Sequence, residues 1–193
     1  IRLYDEALSK YPDFADAHHN KSIALFKQGN KEAALNEVQK AIALDARFQQ
    51  ARFSRAEFLF ELNQLESAQQ ELNLLEKDYQ DSSKYHLLYG NVLAARSDRS
   101  GAIEKFDRAI ALNPQLVEAL VNRGSQYFMD KRLKSAQSDF EKALTLNPKQ
   151  IEALNNLGLI EVESSNWDAA LSYFDRALSI NPVFPLGLNN KGF

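Results

Sequence analysis

The chain has 193 residues, of which 45% are hydrophobic and 25% charged, the composition of a folded globular protein rather than a disordered or fibrous one. Its 23 basic and 26 acidic residues give a formal net charge of -3, which leaves no excess of positive charge for binding nucleic acid. Cysteine is absent, and this excludes disulfides, thiolate catalysis and cysteine-ligated zinc.

The sequence repeats itself with a period of 34 residues. Small residues follow one another at this step, at Ser22, Ala56, Gly90, Gly124, Gly158 and Gly192. Twelve residues after each of the first five stands an alanine, at Ala34, Ala68, Ala102, Ala136 and Ala170. A fixed period of this length is typical of a solenoid built from one repeated helical unit.

The period divides the chain into five complete repeats between two partial ones. Residues 1–14 correspond to the second helix of a truncated repeat; the complete repeats 1 to 5 span 15–48, 49–82, 83–116, 117–150 and 151–184; residues 185–193 begin another. We expect each complete repeat to form an antiparallel pair of helices, A and then B. The A helices are predicted to begin near Ala15, Gln49, Ser83, Val117 and Ile151. We number the positions of a repeat from these residues, which are position 1.

Glycine at position 8 is unfavourable inside a helix, so Gly90, Gly124 and Gly158 need a structural reason. Close approach of helices A and B provides one, and the alanines at positions 20 and 27 fit the same demand. In repeat 2, Leu75 replaces the expected alanine and Gln80 replaces the closing proline. We therefore expect a looser boundary after repeat 2.

Repeat 5 carries the clearest copy of the pattern, with Leu154, Leu157, Gly158, Ala170, Phe174, Ala177 and Pro182. This spacing resembles that of the tetratricopeptide repeat family, and the resemblance covers essentially the whole chain. Position 4 departs from the family pattern because it never holds tryptophan. The resemblance implies an all-α fold, a right-handed superhelix of antiparallel helix pairs that binds other proteins.

The sequence offers little that resembles catalytic or metal-binding chemistry. His18 and His19 are adjacent, so on a helix their side chains diverge and cannot share an ion. Glu57 and Glu61 have the spacing of a solvated helix face. We expect no catalytic residue, no metal site and no cofactor, and we interpret the chain as a non-enzyme.

In the family, positions 2, 5, 6, 9, 12 and 13 of the A helices line a concave groove, and their spacing places them on one exposed helical face. Position 6 holds Asn20, Asn122, Asn156 and Asn190, and Asn155 lies beside one of them. An asparagine amide both donates and accepts hydrogen bonds, so it can pair with the backbone of an extended peptide. This resembles the asparagine-lined groove of the tetratricopeptide region of O-linked N-acetylglucosamine transferases. Asparagine is also frequent at this position across the family.

Apolar groove positions include Phe26, Phe53, Phe60 and Phe128, which are candidate anchors for a ligand. Acidic residues outnumber basic ones at the groove positions. The predicted peptide-binding residues are Asn20, Phe26, Phe53, Phe60, Asn122, Phe128, Asn155, Asn156 and Asn190. We expect a neutral or basic peptide partner with apolar anchors, and neither nucleic acid nor a membrane.

The leading functional hypothesis is a protein-interaction scaffold that binds a peptide in the groove. Two alternatives remain open: a substrate-recruiting arm of a larger enzyme such as a glycosyltransferase, and a self-associating structural module. The partial repeats at the two ends are complementary, so the self-associating alternative includes head-to-tail association through Tyr4, Ala7 and Leu8 at one end and Leu188 and Gly192 at the other. No apolar run reaches the roughly 18 residues that span a bilayer, so we expect a soluble protein of the cytoplasm or periplasm.

Overall fold

A computed structural model of the chain describes residues 1–183. Within these residues the fold consists of eleven α-helices and no strand. The helices are α1 (Arg2–Lys10), α2 (Ala15–Lys27), α3 (Lys31–Leu44), α4 (Gln49–Glu61), α5 (Leu65–Tyr79), α6 (Ser83–Ala95), α7 (Arg99–Leu112), α8 (Val117–Met129), α9 (Leu133–Leu146), α10 (Ile151–Glu163) and α11 (Trp167–Ile180). The all-α prediction is confirmed, and the five A helices begin at the residues that the period predicts.

The turn from helix A to helix B has the same backbone conformation in successive repeats. Position 15 lies in the left-handed region in every complete repeat, at Gly29, Asn63, Ser97, Lys131 and Ser165. In repeat 1 the next amide, that of Asn30, donates to the carbonyl of Leu25, and Asn166 donates to Glu161 in the same way in repeat 5. These bonds satisfy carbonyls at the end of helix A and reverse the chain, so that helix B packs back on helix A.

The chain divides into two compact units, Ile1–Ser97 and the part that begins at Asp98. The N-terminal unit contains α1 to α6, and the described part of the C-terminal unit contains α7 to α11. The single repeat array predicted for residues 1–193 stays a prediction.

The core of the N-terminal unit comes from the apolar stripes of its helices. One cluster consists of Leu25, Ala34, Val38, Ala41, Ile42, Ala51 and Phe58, drawn from α2, α3 and α4. No single helix pair buries this stripe alone, because Ala51 and Phe58 come from the following repeat. Burial that continues from one repeat to the next is what makes repeats of this kind stable only in series.

The boundary between repeats 2 and 3 also lies in the N-terminal unit, and a large side chain fills it. Tyr85 on α6 is 0% exposed, whereas the equivalent position 3 of the other complete repeats holds the buried alanines Ala17, Ala51, Ala119 and Ala153. The Tyr85 hydroxyl donates to the carbonyl of Leu72 at 3.0 Å. The expectation of a looser boundary rested on Leu75 and on the missing proline, and it did not consider this ring.

The C-terminal unit packs small residues of helix A against aromatic rings of helix B. Gly124 on α8 faces Phe140 on α9, and Gly158 on α10 faces Phe174 on α11. Both rings are fully buried. The close approach predicted for glycine at position 8 is therefore present in repeats 4 and 5. None of the helices among residues 1–183 has the length and apolar character required to cross a membrane.

Candidate functional site

Neighbouring A helices contact each other within each unit, so residues on one face of these helices form a shared surface. We call it the A-helix surface. In the N-terminal unit it includes Asn20, Phe26, Phe53, Glu57 and Phe60, from α2 and α4; in the C-terminal unit it includes Asn122, Ser125, Phe128 and Asn156, from α8 and α10. These residues are exposed or half-buried. Asn190, also predicted to bind peptide, lies outside the described residues, as do Leu188 and Gly192 of the predicted head-to-tail contact.

Position 5 is less exposed than predicted. His19 is 9% exposed, Val121 6% and Asn155 4%, so the prediction of an exposed position is wrong for these three residues. At His19 the reason is contact with the next A helix: the ring Nε2 lies 3.0 Å from Ser54 Oγ, and the ring edge packs on Phe48. Burial lowers the pKa of His19, and the charge of Asp16 opposes this shift. Because Asn155 is buried, Asn156 presents more of its side chain to a ligand.

In the C-terminal unit, two predicted asparagines lie on neighbouring A helices. Asn122 and Asn156 are both half-buried. The Asn156 side-chain amide donates to Ser125 Oγ at 3.5 Å, and Ser125 Oγ donates to the carbonyl of Val121 at 2.9 Å. Phe128 lies on the same surface, with Lys131 Nζ 5.9 Å from its ring centroid. The structure thus brings amide groups and an aromatic ring together on one surface.

In the N-terminal unit, the surface is mainly aromatic. Phe26 stacks on Phe58 with ring centroids 4.2 Å apart, and Phe53 stacks on Tyr79 with centroids 5.3 Å apart. Phe26, Phe53 and Phe60 are half-buried, so each presents part of its ring to solvent. Asn20, on α2, is exposed.

Buried ion pairs inside the repeats are the polar feature that the sequence interpretation missed. Position 23 of helix B holds a buried carboxylate in three repeats: Glu37, Glu71 and Asp139. Each carboxylate pairs with positions 4 or 7 of helix A in its own repeat: Glu37 with His18 and Lys21, Glu71 with Arg52 and Arg55, and Asp139 with Arg123. The sequence signal for these pairs was the recurrence of acidic residues at position 23 in repeats that carry basic residues at position 4 or 7.

The guanidinium of Arg123 is the most extensively hydrogen-bonded of the basic groups in these pairs. It donates to Asp139 at 2.8 and 2.6 Å, and to Asp107 on α7 at 2.6 Å. The hydrogen bond to Asp139 raises the pKa of Arg123 above its already high ordinary value. His18 has a similar structural role, with Nδ1 2.6 Å from Glu37 Oε2. Among residues 1–183, no group of three or more histidine or acidic side chains is placed to hold a metal ion.

Comparison with known families gives three matches. Three models, each described as a tetratricopeptide repeat, match residues 3–36, 32–92 and 131–183. Human tetratricopeptide repeat protein 13 is 29% identical over 146 residues, which cover 69% of this chain and 17% of that protein. The matched segment is thus a small part of the relative.

Solved structures with the same fold match this chain over nearly all of their own length or over part of it. YrrB, described as a tetratricopeptide repeat protein with an unusual peptide-binding site, has a TM-score of 0.76 at 22% identity, with 98% of each chain covered. The Cut9–Hcn1 hetero-tetramer of the APC/C has a TM-score of 0.85 at 17% identity, covering 99% of this chain and 38% of that one. At these identities the similarity concerns the fold.

Proposed function

Because the chain belongs to the tetratricopeptide repeat family, we propose that it is a protein-interaction scaffold whose A-helix surface binds a peptide segment of a partner protein. The observation that carries the proposal is the combination of half-buried aromatic rings and amide groups on that surface. A half-exposed ring can bury further area when a ligand docks, and an amide can pair with a peptide backbone. The description of YrrB as peptide-binding supports the same class of function.

The C-terminal unit suggests how an extended peptide is held. Asn122 and Asn156 stand on successive A helices, and each amide offers a donor and an acceptor. Backbone hydrogen bonds from these amides favour an extended chain without requiring particular side chains. Phe128 adds an apolar contact on the same surface. Asn155 contributes less, since its side chain is buried.

The charge of the A-helix positions favours a neutral or basic partner. Acidic residues stand at Asp16, Glu57, Glu61, Glu118, Glu152 and Glu163, and basic ones at Lys27 and Lys84. Two of the acids have nearby lysines, Glu61 with Lys31 at 4.0 Å and Glu163 with Lys131 at 3.1 Å. These two carboxylates are therefore partly neutralised, and the others retain their attraction for a cationic segment.

Selection from a random twelve-residue peptide library displayed on phage tests the proposal. Selected peptides should crosslink to A helices, and their affinity should fall in a variant that combines Asn122→Ala with Asn156→Ala. Each lost hydrogen bond is expected to cost about 0.5 to 1.5 kcal/mol. Asn36→Ala, which removes an exposed amide from helix α3, is the matched control and should leave affinity unchanged. Crosslinks confined to B helices, or unchanged affinity in the double variant, would contradict the proposed use of the asparagines.

A further inference from the structure

We infer that the A-helix surface of the N-terminal unit recognises a lysine or arginine side chain of the bound segment, with Glu57 as its counter-ion and the stacked rings of Phe53 and Tyr79 beside it. This inference rests on the proposed function, because it specifies the chemistry of the partner segment. It concerns the N-terminal unit alone.

Helix α4 presents a carboxylate between two aromatic side chains. Phe53, Glu57 and Phe60 are spaced at i, i+4 and i+7, so they share one helical face. Both rings are half-buried and Glu57 is exposed. Helix α4 contacts α2 on one side and α6 on the other, so this face lies in the middle of the unit's A-helix surface. A segment docking there meets an acid flanked by apolar groups.

Glu57 differs from the buried carboxylates of the unit, Glu37 and Glu71, in having no ion-pair partner among residues 1–183. Within residues 1–183 it makes no hydrogen bond and no ion pair, whereas Glu37 and Glu71 are both paired. The residue is exposed, yet protein atoms flank its carboxylate on the A-helix surface, and the resulting desolvation raises the pKa of Glu57. The charge of Lys84 on α6 opposes this shift without forming an ion pair. An incoming cation would restore the interactions that the carboxylate loses to desolvation.

The rings beside Glu57 suit the same ligand. Phe53 and Tyr79 stack nearly in parallel, with an interplanar angle of 9° and centroids 5.3 Å apart. Burial raises the pKa of Tyr79, and the charges of Asp78 and Glu57 add to the shift. An ammonium or guanidinium group paired with a carboxylate and resting against an aromatic face gains from both.

Substitution of Lys84 distinguishes a cationic ligand from an anionic one. It is the cation whose charge acts on Glu57, and it lies exposed at position 2 of α6. If the surface takes a cation, removal of Lys84 removes a repulsion and tightens binding. If the surface takes an acidic side chain through Lys84, the same change weakens binding. The two neutralising substitutions Glu57→Gln and Lys84→Gln should therefore act in opposite directions.

The experiment starts from twelve-residue peptides selected on phage against the whole chain, keeping those whose binding is weakened by Phe53→Ala. Fluorescence anisotropy then measures the affinity of each peptide, and of a counterpart in which every lysine and arginine is replaced by glutamine. With the wild-type chain, that replacement should weaken binding about fivefold to tenfold. When the chain carries Glu57→Gln, replacing the lysines and arginines of the peptide should have little further effect on affinity, because the counter-ion is already absent. Lys84→Gln should strengthen binding of the cationic peptide, and Glu32→Gln, on helix α3, should change nothing.

The outcomes separate this inference from the proposed function. Peptides that bind the N-terminal unit with no dependence on lysine, arginine or Glu57 would overturn the inference and leave the scaffold function standing. Weaker binding in Lys84→Gln would also overturn it. Failure to select any peptide that contacts an A helix would count against the scaffold function itself. Thermal unfolding of Glu57→Gln should match the wild type, since Glu57 makes no hydrogen bond or ion pair with the rest of residues 1–183.

Discussion

The ring of Phe140 occupies the space that a side chain at residue 124 would need. A Cβ built on Gly124 would lie 2.8 Å from Phe140 Cε1, closer than such atoms approach in folded proteins. In repeat 2 the equivalent residues are Ala56 and Leu72, both fully buried. A larger residue at position 8 thus accompanies a smaller one at position 24, and the two positions together conserve the volume between helices A and B.

This relationship predicts a compensating pair of substitutions. Gly124→Ala gains about 1 kcal/mol of helix propensity but overpacks against a fully buried ring, which costs about 1 to 3 kcal/mol, so we expect a net loss of up to about 2 kcal/mol. Phe140→Leu alone should leave a cavity and also destabilise the fold. The double variant copies the Ala56 and Leu72 pair and should lose less than the sum of the single changes. Urea unfolding of the four proteins measures this coupling, and additive losses would show that the two residues do not share volume.

The close packing at position 8 was predictable from the sequence, whereas the buried polar contacts of the repeats were not. A costly residue recurring at position 8 indicated close approach, and the 34-residue period fixed where each A helix begins. The same reasoning did not identify the burial of Glu37, because a carboxylate on an amphipathic helix is ordinarily solvated. It also treated position 5 as exposed, although His19 turns toward Ser54 of the next A helix. Contacts between successive repeats depend on their relative rotation, which a linear spacing does not contain.

Tyr85 should be the residue that stabilises the boundary between repeats 2 and 3. Tyr85→Ala removes a fully buried ring where the neighbouring helices have no means of closing the gap, and we expect a loss of about 3 to 5 kcal/mol. Tyr85→Phe keeps the ring and loses only the bond to the Leu72 carbonyl, at a cost of about 0.5 to 1.5 kcal/mol. Chemical denaturation measures both, with Tyr11→Phe as a control because Tyr11 is exposed. If Tyr85→Ala lowered the free energy of unfolding by less than Tyr85→Phe does, the ring would not support the boundary.

Gln126 is a polar side chain at a position that is apolar elsewhere. Position 10 holds Ala24, Phe58, Val92 and Ile160 in the other complete repeats. Gln126 is 7% exposed, and its Oε1 is buried without a hydrogen-bond partner in the part of the chain that the structure describes. Gln126→Leu should therefore stabilise the protein by about 1 to 3 kcal/mol, the cost of an unsatisfied buried polar group. Gln39→Leu, at an exposed site on α3, should have little effect, and an equal or lower midpoint of thermal unfolding in Gln126→Leu would contradict the prediction.

The ion pairs of Glu37 predict a loss of stability in acid. Burial alone would raise the pKa of Glu37, but hydrogen bonds from His18 and Lys40 and the charge of Lys21 outweigh it, so the net pKa lies below the ordinary value of 4.5. The unfolded chain then binds a proton more readily than the folded one as the pH falls below about 4.5. The contribution of Glu37 is therefore complete above that pH and is lost as the pH falls through the lower pKa of the folded state.

Glu37→Gln tests this dependence directly. At neutral pH we expect the variant to lose about 1.5 to 3 kcal/mol, because charge-assisted hydrogen bonds from His18 and Lys40 are replaced by weaker ones. Between pH 5 and 3, titration of Glu37 no longer contributes, so the free energy of unfolding should fall less steeply than in the wild type. Urea denaturation at a series of pH values gives both quantities, and Glu32→Gln, at an exposed position on the same helix, supplies the matched control. Parallel pH profiles for Glu37→Gln and the wild type would show that the native pKa of Glu37 is not depressed.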